Sequence, residues 1–181
     1  MTNVFSPSQY FANIVGALSV GLADRIVEET EALVGVGANA SAALVLIGSR
    51  PDLTIDDLRH GMKLTHSATV RTVMRLNAAG LVEKRSGRDG RSVYLRLNAK
   101  GRRDMNRALQ LREKIVGEAL SALNPAELAQ FGAMAARVLP KVVTRSETAE
   151  VICRLCDGKV CTDAECPLTK ERDCQLGAEH G

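Results

Sequence analysis

Residues 64–101 read LTHSATVRTVMRLNAAGLVEKRSGRDGRSVYLRLNAKG: a helix, a glycine stop, a strand, a glycine-flanked arginine loop and a second strand. Thr65 can cap a helix over about 66–79 that buries Val73 and Leu76, with Thr69 and Thr72 on or near the same face. Ser67, Ala68, Arg71 and Arg75 are left for other surfaces. Gly80 suits the position just past a helix end, and Leu81-Val82 begins a strand to about Arg85. Ser86-Gly87-Arg88-Asp89-Gly90-Arg91 makes the turn, and Val93, Leu95 and Leu97 alternate with Tyr94 and Arg96 on the return strand. A helix fits the major groove of B-DNA, and an arginine on a hairpin can enter the minor groove beside it. The segment therefore reads as a device for holding nucleic acid.

Charge concentrates in the same place. Residues 59–114 carry 15 Lys/Arg against 4 Asp/Glu, a net of +11, whereas residues 1–58 sum to −5 and residues 115–181 to −3. The whole-chain value of +3 conceals this separation. Such a block attracts a polyanion.

Outward from this centre the chain reads as apolar helices. Phe11, Ile14, Val15, Leu18, Leu22, Ile26 and Leu33 recur on a helical period, and Gly35 and Gly37 end that helix. A short apolar helix follows from about Asn39 to Gly48, and Arg50-Pro51-Asp52 is a turn. Thr54 can cap a helix carrying Ile55, Leu58 and Met62, with Asp57 placed as in a capping box. Asn98 can cap a long helix whose periodic face is Met105, Leu109, Arg112, Val116, Ala119 and Leu123. Asn124-Pro125-Ala126-Glu127 starts another, bearing Leu128, Phe131, Met134, Ala135, Val138, Leu139 and Val142, with a kink expected at Pro140. Aromatics are only 3% of the chain while hydrophobic residues are 45%, mostly Ala, Leu and Val, which favours packed helices over a β-sandwich. The expected fold is mainly α with a small β-hairpin wing.

No Lys or Arg precedes the first apolar stretch, against a secretory signal, and Ala32–Ser49 is too short and small-sided to span a membrane. A cytoplasmic protein without membrane partners is expected. All five cysteines follow residue 152, so they cannot staple the main domain.

The helix-turn-helix from Ile55 through Lys63-Leu64-Thr65 to Val82 looks like that of a winged helix-turn-helix protein. The run Arg75-Leu76-Asn77-Ala78-Ala79-Gly80-Leu81-Val82, the wing Arg88-Asp89-Gly90-Arg91-Ser92, the exit Leu95-Arg96-Leu97-Asn98-Ala99-Lys100-Gly101 and the helix start Asn124-Pro125-Ala126-Glu127-Leu128 resemble the MarR family of bacterial transcriptional regulators. The resemblance covers roughly residues 10–145. It implies a domain over 1–146, with a reading head at about 39–98, N- and C-terminal dimerisation helices, and a homodimer reading a palindromic double-stranded operator with half-sites about one helical turn apart. Family members mostly act as repressors released by a small ligand or by oxidation, so a small-molecule effector is implied as well. The chain departs from the family pattern at Thr69 and Thr72, where larger apolar residues are usual, which predicts looser packing of the reading helix.

On this footing Ser67, Ala68, Arg71 and Thr72 face bases, and Thr65 is both cap and phosphate ligand. Lys84 and Arg85 contact phosphates; Arg91 enters the minor groove, Arg88 supports it and Asp89 orients the wing. Arg75 has two readings of equal weight, a DNA contact or an internal salt bridge.

The tail, residues 147–181, is not the usual family ending. Cys153, Cys156, Cys161, Cys166 and Cys174 are separated by two, four, four and seven residues. The first four can wrap a tetrahedral Zn2+, with Cys174 as a substitute, and a short tail of low apolar content needs such a staple. An iron–sulfur cluster and a reversible Cys153–Cys156 disulfide are the alternatives. The function expected is a sequence-specific, double-stranded DNA-binding transcriptional regulator, a dimeric repressor released by a small ligand, redox or metal signal, and not an enzyme. The competing readings are a metal- or thiol-dependent redox protein acting through the tail, and a winged helix that docks RNA or protein. No nucleotide-binding glycine motif or acid/base constellation accompanies the cysteines to support the first.

Overall fold

A computed structural model describes residues 6–86, 93–143, 149–161 and 166–168. Eight of its elements are helical or strand segments up to the long helix: α1 (Pro7–Val34), α2 (Ala40–Ser49), β1 (Leu53–Thr54), α3 (Ile55–Met62), α4 (His66–Ala78), β2 (Val82–Ser86), β3 (Val93–Leu97) and α5 (Ala99–Leu120). They are followed by α6 (Pro125–Val138), a 3-10 turn over Leu139–Val142 and α7 (Ala149–Cys153). The fold is mainly helical, with one small antiparallel sheet of order β1-β3-β2.

The caps set the element starts. Ser6, Thr54 and Asn124 each take part in a reciprocal capping box with Gln9, Asp57 and Glu127, while Thr65 and Asn98 accept from Ala68 N and Gly101 N. Pro140 ends α6 in a 3-10 turn where the sequence predicts a kink within one helix. The ring blocks the α-helical hydrogen bond at that point.

The core is centred on α2, which is buried from Ala40 to Ile47. Leu44, Leu58, Val73, Leu76, Leu81 and Leu95 are wholly enclosed around it. Leu53 pairs with Leu95, adding a third strand that the sequence reading leaves as a turn and a cap. The helix–sheet junction at Gly101 is tight, because a Cβ there would collide with the Leu81 carbonyl.

The face of α5 differs from the expected one. Its buried residues are Gly101, Ala108 and Ile115, one seven-residue stripe, with Met105 packed against the core; Val116 is only half-buried and Ala119 is exposed. Gly and Ala carry almost no hydrophobic signal in a sequence, yet their small size is what allows this side of α5 to approach the head.

Both ends of the molecule leave apolar surface uncovered. Every α1 residue from Pro7 to Gly21 is exposed, including Tyr10, Phe11, Ile14, Val15 and Leu18, and α6 buries no residue at all while presenting Leu128, Phe131, Met134 and Val138. By length and composition alone α1 could also cross a membrane, with 18 residues of mean hydropathy 1.3, none of them buried. Its C-terminal half is fastened to the body by Arg25, which bonds Glu29 at 2.6 Å and Glu118 of α5 at 2.7 Å. These bonds raise the Arg25 pKa and lower that of Glu118. Thr30, fully buried, donates to Ile26 O at 2.7 Å and lies 3.1 Å from Ser41 Oγ of α2.

Candidate nucleic-acid interface

The helix-turn-helix is made by α3 and α4 and the turn Lys63-Leu64-Thr65. Lys63 adopts a left-handed conformation, φ 53°, and its N–H closes α3 onto the Arg59 and His60 carbonyls. Thr65 then caps α4, its Oγ1 accepting from Ala68 N at 3.3 Å. The cap occupies that oxygen and leaves the residue itself exposed.

The inward face of α4 holds Thr69, Thr72, Val73 and Leu76, none more than 2% exposed. The two threonines do not loosen the packing as the sequence predicts. Each hydroxyl donates to the carbonyl one turn back, Thr69 to Thr65 O and Thr72 to Ala68 O, both at 3.0 Å, so burial leaves neither group unsatisfied. Thr72 is therefore withdrawn from the outward row on which the sequence places it: its side chain is buried and its hydroxyl is bonded to Ala68 O and Arg75 Nη2.

The outward face presents Ser67, Ala68, Arg71 and Met74, on the one-turn spacing of a helix, with Ala68 half-buried and the others exposed. Met74, 59% exposed, belongs to this face although the sequence reading passes over it. An apolar side chain in a helical period is ordinarily assigned to the core, and only the orientation of α4 shows otherwise. Arg71 and Met74 line an open groove with Ala68, Thr72, Arg75 and Asn39.

Arg75 resolves its two readings in a third way. Its Nη2 donates to the Ala38 carbonyl at 3.1 Å and to Thr72 Oγ1 at 3.3 Å, and its guanidinium lies where a Cβ on Gly37 would meet Nη1 at 2.6 Å. Arg75 thus ties α4 to the α1–α2 connection through one hydrogen bond to a backbone carbonyl, without an acidic partner among the described residues. Gly37, φ 94°, leaves it room.

Beside α4, β2 and β3 form the base of the hairpin, with Val82 opposite Leu97 and Ser86 opposite Val93. Lys84 and Arg85 are exposed on β2, and Arg85 stands 4.0 Å from Glu83 across open solvent. On β3, Arg96 is held by Asp52 at 3.1 Å. Arg88, Asp89 and Arg91 lie outside the described residues.

The cysteine tail returns to the reading head. Ala149 and Leu168 are fully buried, Leu155 packs against the core, and Glu150 pairs with Arg50 at the end of α2 at 2.8 Å. Glu150 also lies over Gly61 of α3, where a Cβ would come 3.7 Å from its Oε2. Cys156 joins Val45, Gly48, Ser49, Met105 and Leu109 in lining a cavity between α2, α5 and the tail.

Cys153, Cys156, Cys161 and Cys166 are all half-buried. A hydrogen bond between Cys153 and Cys156 divides their acidity. It pushes Cys153 up, with burial and the charges of Cys156, Cys166 and Cys161 adding to the effect. It brings Cys156 down to about 6, with help from Arg112 and against burial. Among the described residues no three thiol, imidazole or carboxylate groups form an assembled metal site. Cys174 lies outside the described residues.

A capped helix-turn-helix, a three-stranded sheet and the base of a hairpin wing define a winged helix-turn-helix protein. Residues 34–92 match the model of the MarR family. A MarR family protein from Bacillus stearothermophilus is similar at TM-score 0.67 and 20% identity, over 78% of this chain and 100% of that one. MarR from E. coli, in its apo form, gives TM-score 0.60 and 21% identity over 76% and 100%. FabT of Streptococcus pneumoniae, solved in complex with DNA, gives TM-score 0.60 and 19% identity over 73% and 96%. These likenesses show a shared fold. A comparison with curated proteins finds no match.

Proposed function

We propose that the chain is a sequence-specific, double-stranded DNA-binding transcriptional regulator that works as a homodimeric repressor by binding and release. The observation that carries this reading is the outward row Ser67, Ala68, Arg71 and Met74 on a helix whose opposite face is locked into the core. A rigid helix with an outward row of polar and apolar side chains can enter a major groove, and exposed Lys84 and Arg85 stand on the adjacent hairpin to meet phosphates. The net charge of +11 over residues 59–114 supplies long-range attraction. The DNA complex of the FabT neighbour supports the same use of the fold.

The uncovered faces of α1 and α6 support the dimer. A 14-residue helix that buries nothing in its own chain gains stability only by covering Phe131, Met134 and Val138 elsewhere. A two-fold partner supplies an identical apolar face and places two α4 helices on a palindrome. In this reading the protein acts in the cytoplasm, and a small apolar effector or a signal at the tail releases the DNA.

Selection of bound duplexes from a random pool tests the proposal. Enrichment of one palindromic motif, bound more tightly than RNA of the same sequence at moderate salt, is the expected result. Equal binding of RNA and unrelated duplexes would overturn it.

A further inference from the structure

The tail of this chain is held against the reading head by little apolar surface of its own. Between Ala149 and Leu168 only Ala149 and Leu168 are fully enclosed among the described residues, and Leu155 is partly so. The same stretch contains four half-buried cysteines. Asp157 turns the chain between the second and third: its carbonyl accepts from Val160 N at 3.1 Å and Cys161 N at 3.0 Å, and its Oδ1 from Lys159 N at 2.9 Å. The first pair is set by a second turn, Cys156 N donating to Cys153 O at 2.8 Å.

We propose that Cys153, Cys156, Cys161 and Cys166 ligate one thiophilic divalent ion of the Zn2+ class, and that this ion clamps the tail onto α2, α3 and α5 so that operator affinity depends on it. Four sulfurs match the tetrahedral demand of such an ion. Binding displaces the thiol protons to solvent, including the one shared by Cys153 and Cys156, and changes no oxidation state. The ligands need not be assembled beforehand, because metal binding is coupled to the ordering of the segment that supplies them. A Cys153–Cys156 disulfide would engage only two of the four sulfurs, which is why the ion is the better account.

The clamp has a route to the DNA-reading helix. Glu150 grips Arg50 and lies over Gly61, and α3 passes directly into α4 through Lys63-Leu64-Thr65. Cys156 lines the cavity with Val45 and Met105, so this part of the tail is seated on the head rather than on the α1 and α6 ends. Loss of the ion removes the tail's main support and with it the brace on α3.

The coupling half rests on the DNA-binding reading above; the metal half does not. Full-length protein purified without oxygen is expected to carry one equivalent of zinc per chain. Its cobalt-substituted form should show the ligand-field spectrum of a tetrahedral tetrathiolate. Cys161→Ser and Cys166→Ser should each lose the ion. Absence of metal, or iron with visible colour in its place, would overturn the assignment. For the clamp, a chelator should weaken binding of the selected operator, and Glu150→Ala should keep its zinc but lose that sensitivity. Zinc-loaded and stripped protein binding the operator equally would overturn the clamp. If zinc is bound stoichiometrically but neither form binds any duplex, the DNA-reading proposal fails and the metal site stands.

Discussion

Arg71 and Arg75 sit one turn apart on α4 and are both exposed, yet they do different work. Both border the open groove, but the Arg75 guanidinium is bonded to Ala38 O and Thr72 Oγ1. Arg71→Ala is accordingly expected to relax base preference at one position of the operator, at about 1–3 kcal/mol. A competition assay with single-base variants checks it. Arg75→Ala should instead lower folding stability by about 1 kcal/mol, the value of a typical hydrogen bond, and leave the base preference unchanged. Chemical denaturation together with the same competition assay separates the two. Lys84→Ala should weaken all duplexes alike and reduce the salt slope by about one, read from affinity against salt concentration. Spacing along α4 exposes both arginines equally to a reader of the sequence. What distinguishes them is Gly37, far off in the chain, which leaves space for only one of them.

At the level of elements, small residues decide where helices meet. Gly101 admits α5 to the Leu81 carbonyl, and Gly48 admits Met105, whose sulfur would collide with a Cβ there. Gly101→Ala is predicted to cost about 1–3 kcal/mol or more, as overpacking of a tight site does, measured by urea denaturation. The caps Thr54, Thr65, Asn98 and Asn124 were legible in the sequence because a cap needs only neighbours within three residues. The buried stripe of α5 was not, since Gly101 and Ala108 look unremarkable until the partner surface is known. The two-residue strand β1 escaped for the same reason. Its pairing of Leu53 with Leu95 spans more than forty positions and leaves no local periodicity.

Across the whole molecule, a locked head stands between two uncovered helices, and the tail folds back on the head. Met134→Glu, on the face of α6 that its own chain leaves bare, is predicted to convert the dimer to monomer with little loss of head stability. Sedimentation at micromolar concentration checks the mass, and thermal melting checks the head. A monomer should hold a full palindrome far more weakly than the dimer does, because the two half-sites then bind without the linkage that raises effective concentration. By itself the sequence determined the order of helices and strands, the helix-turn-helix with its hairpin, and the concentration of charge around it. These follow from caps, glycine stops and apolar period, all of which act over a few residues. Only the tertiary structure decided that Thr72 is enclosed, that Arg75 braces α4, that Met74 faces outward, and that the cysteine tail is seated on α2, α3 and α5. Each of these depends on which surfaces are brought together by chain segments distant in sequence, and local pattern does not encode that.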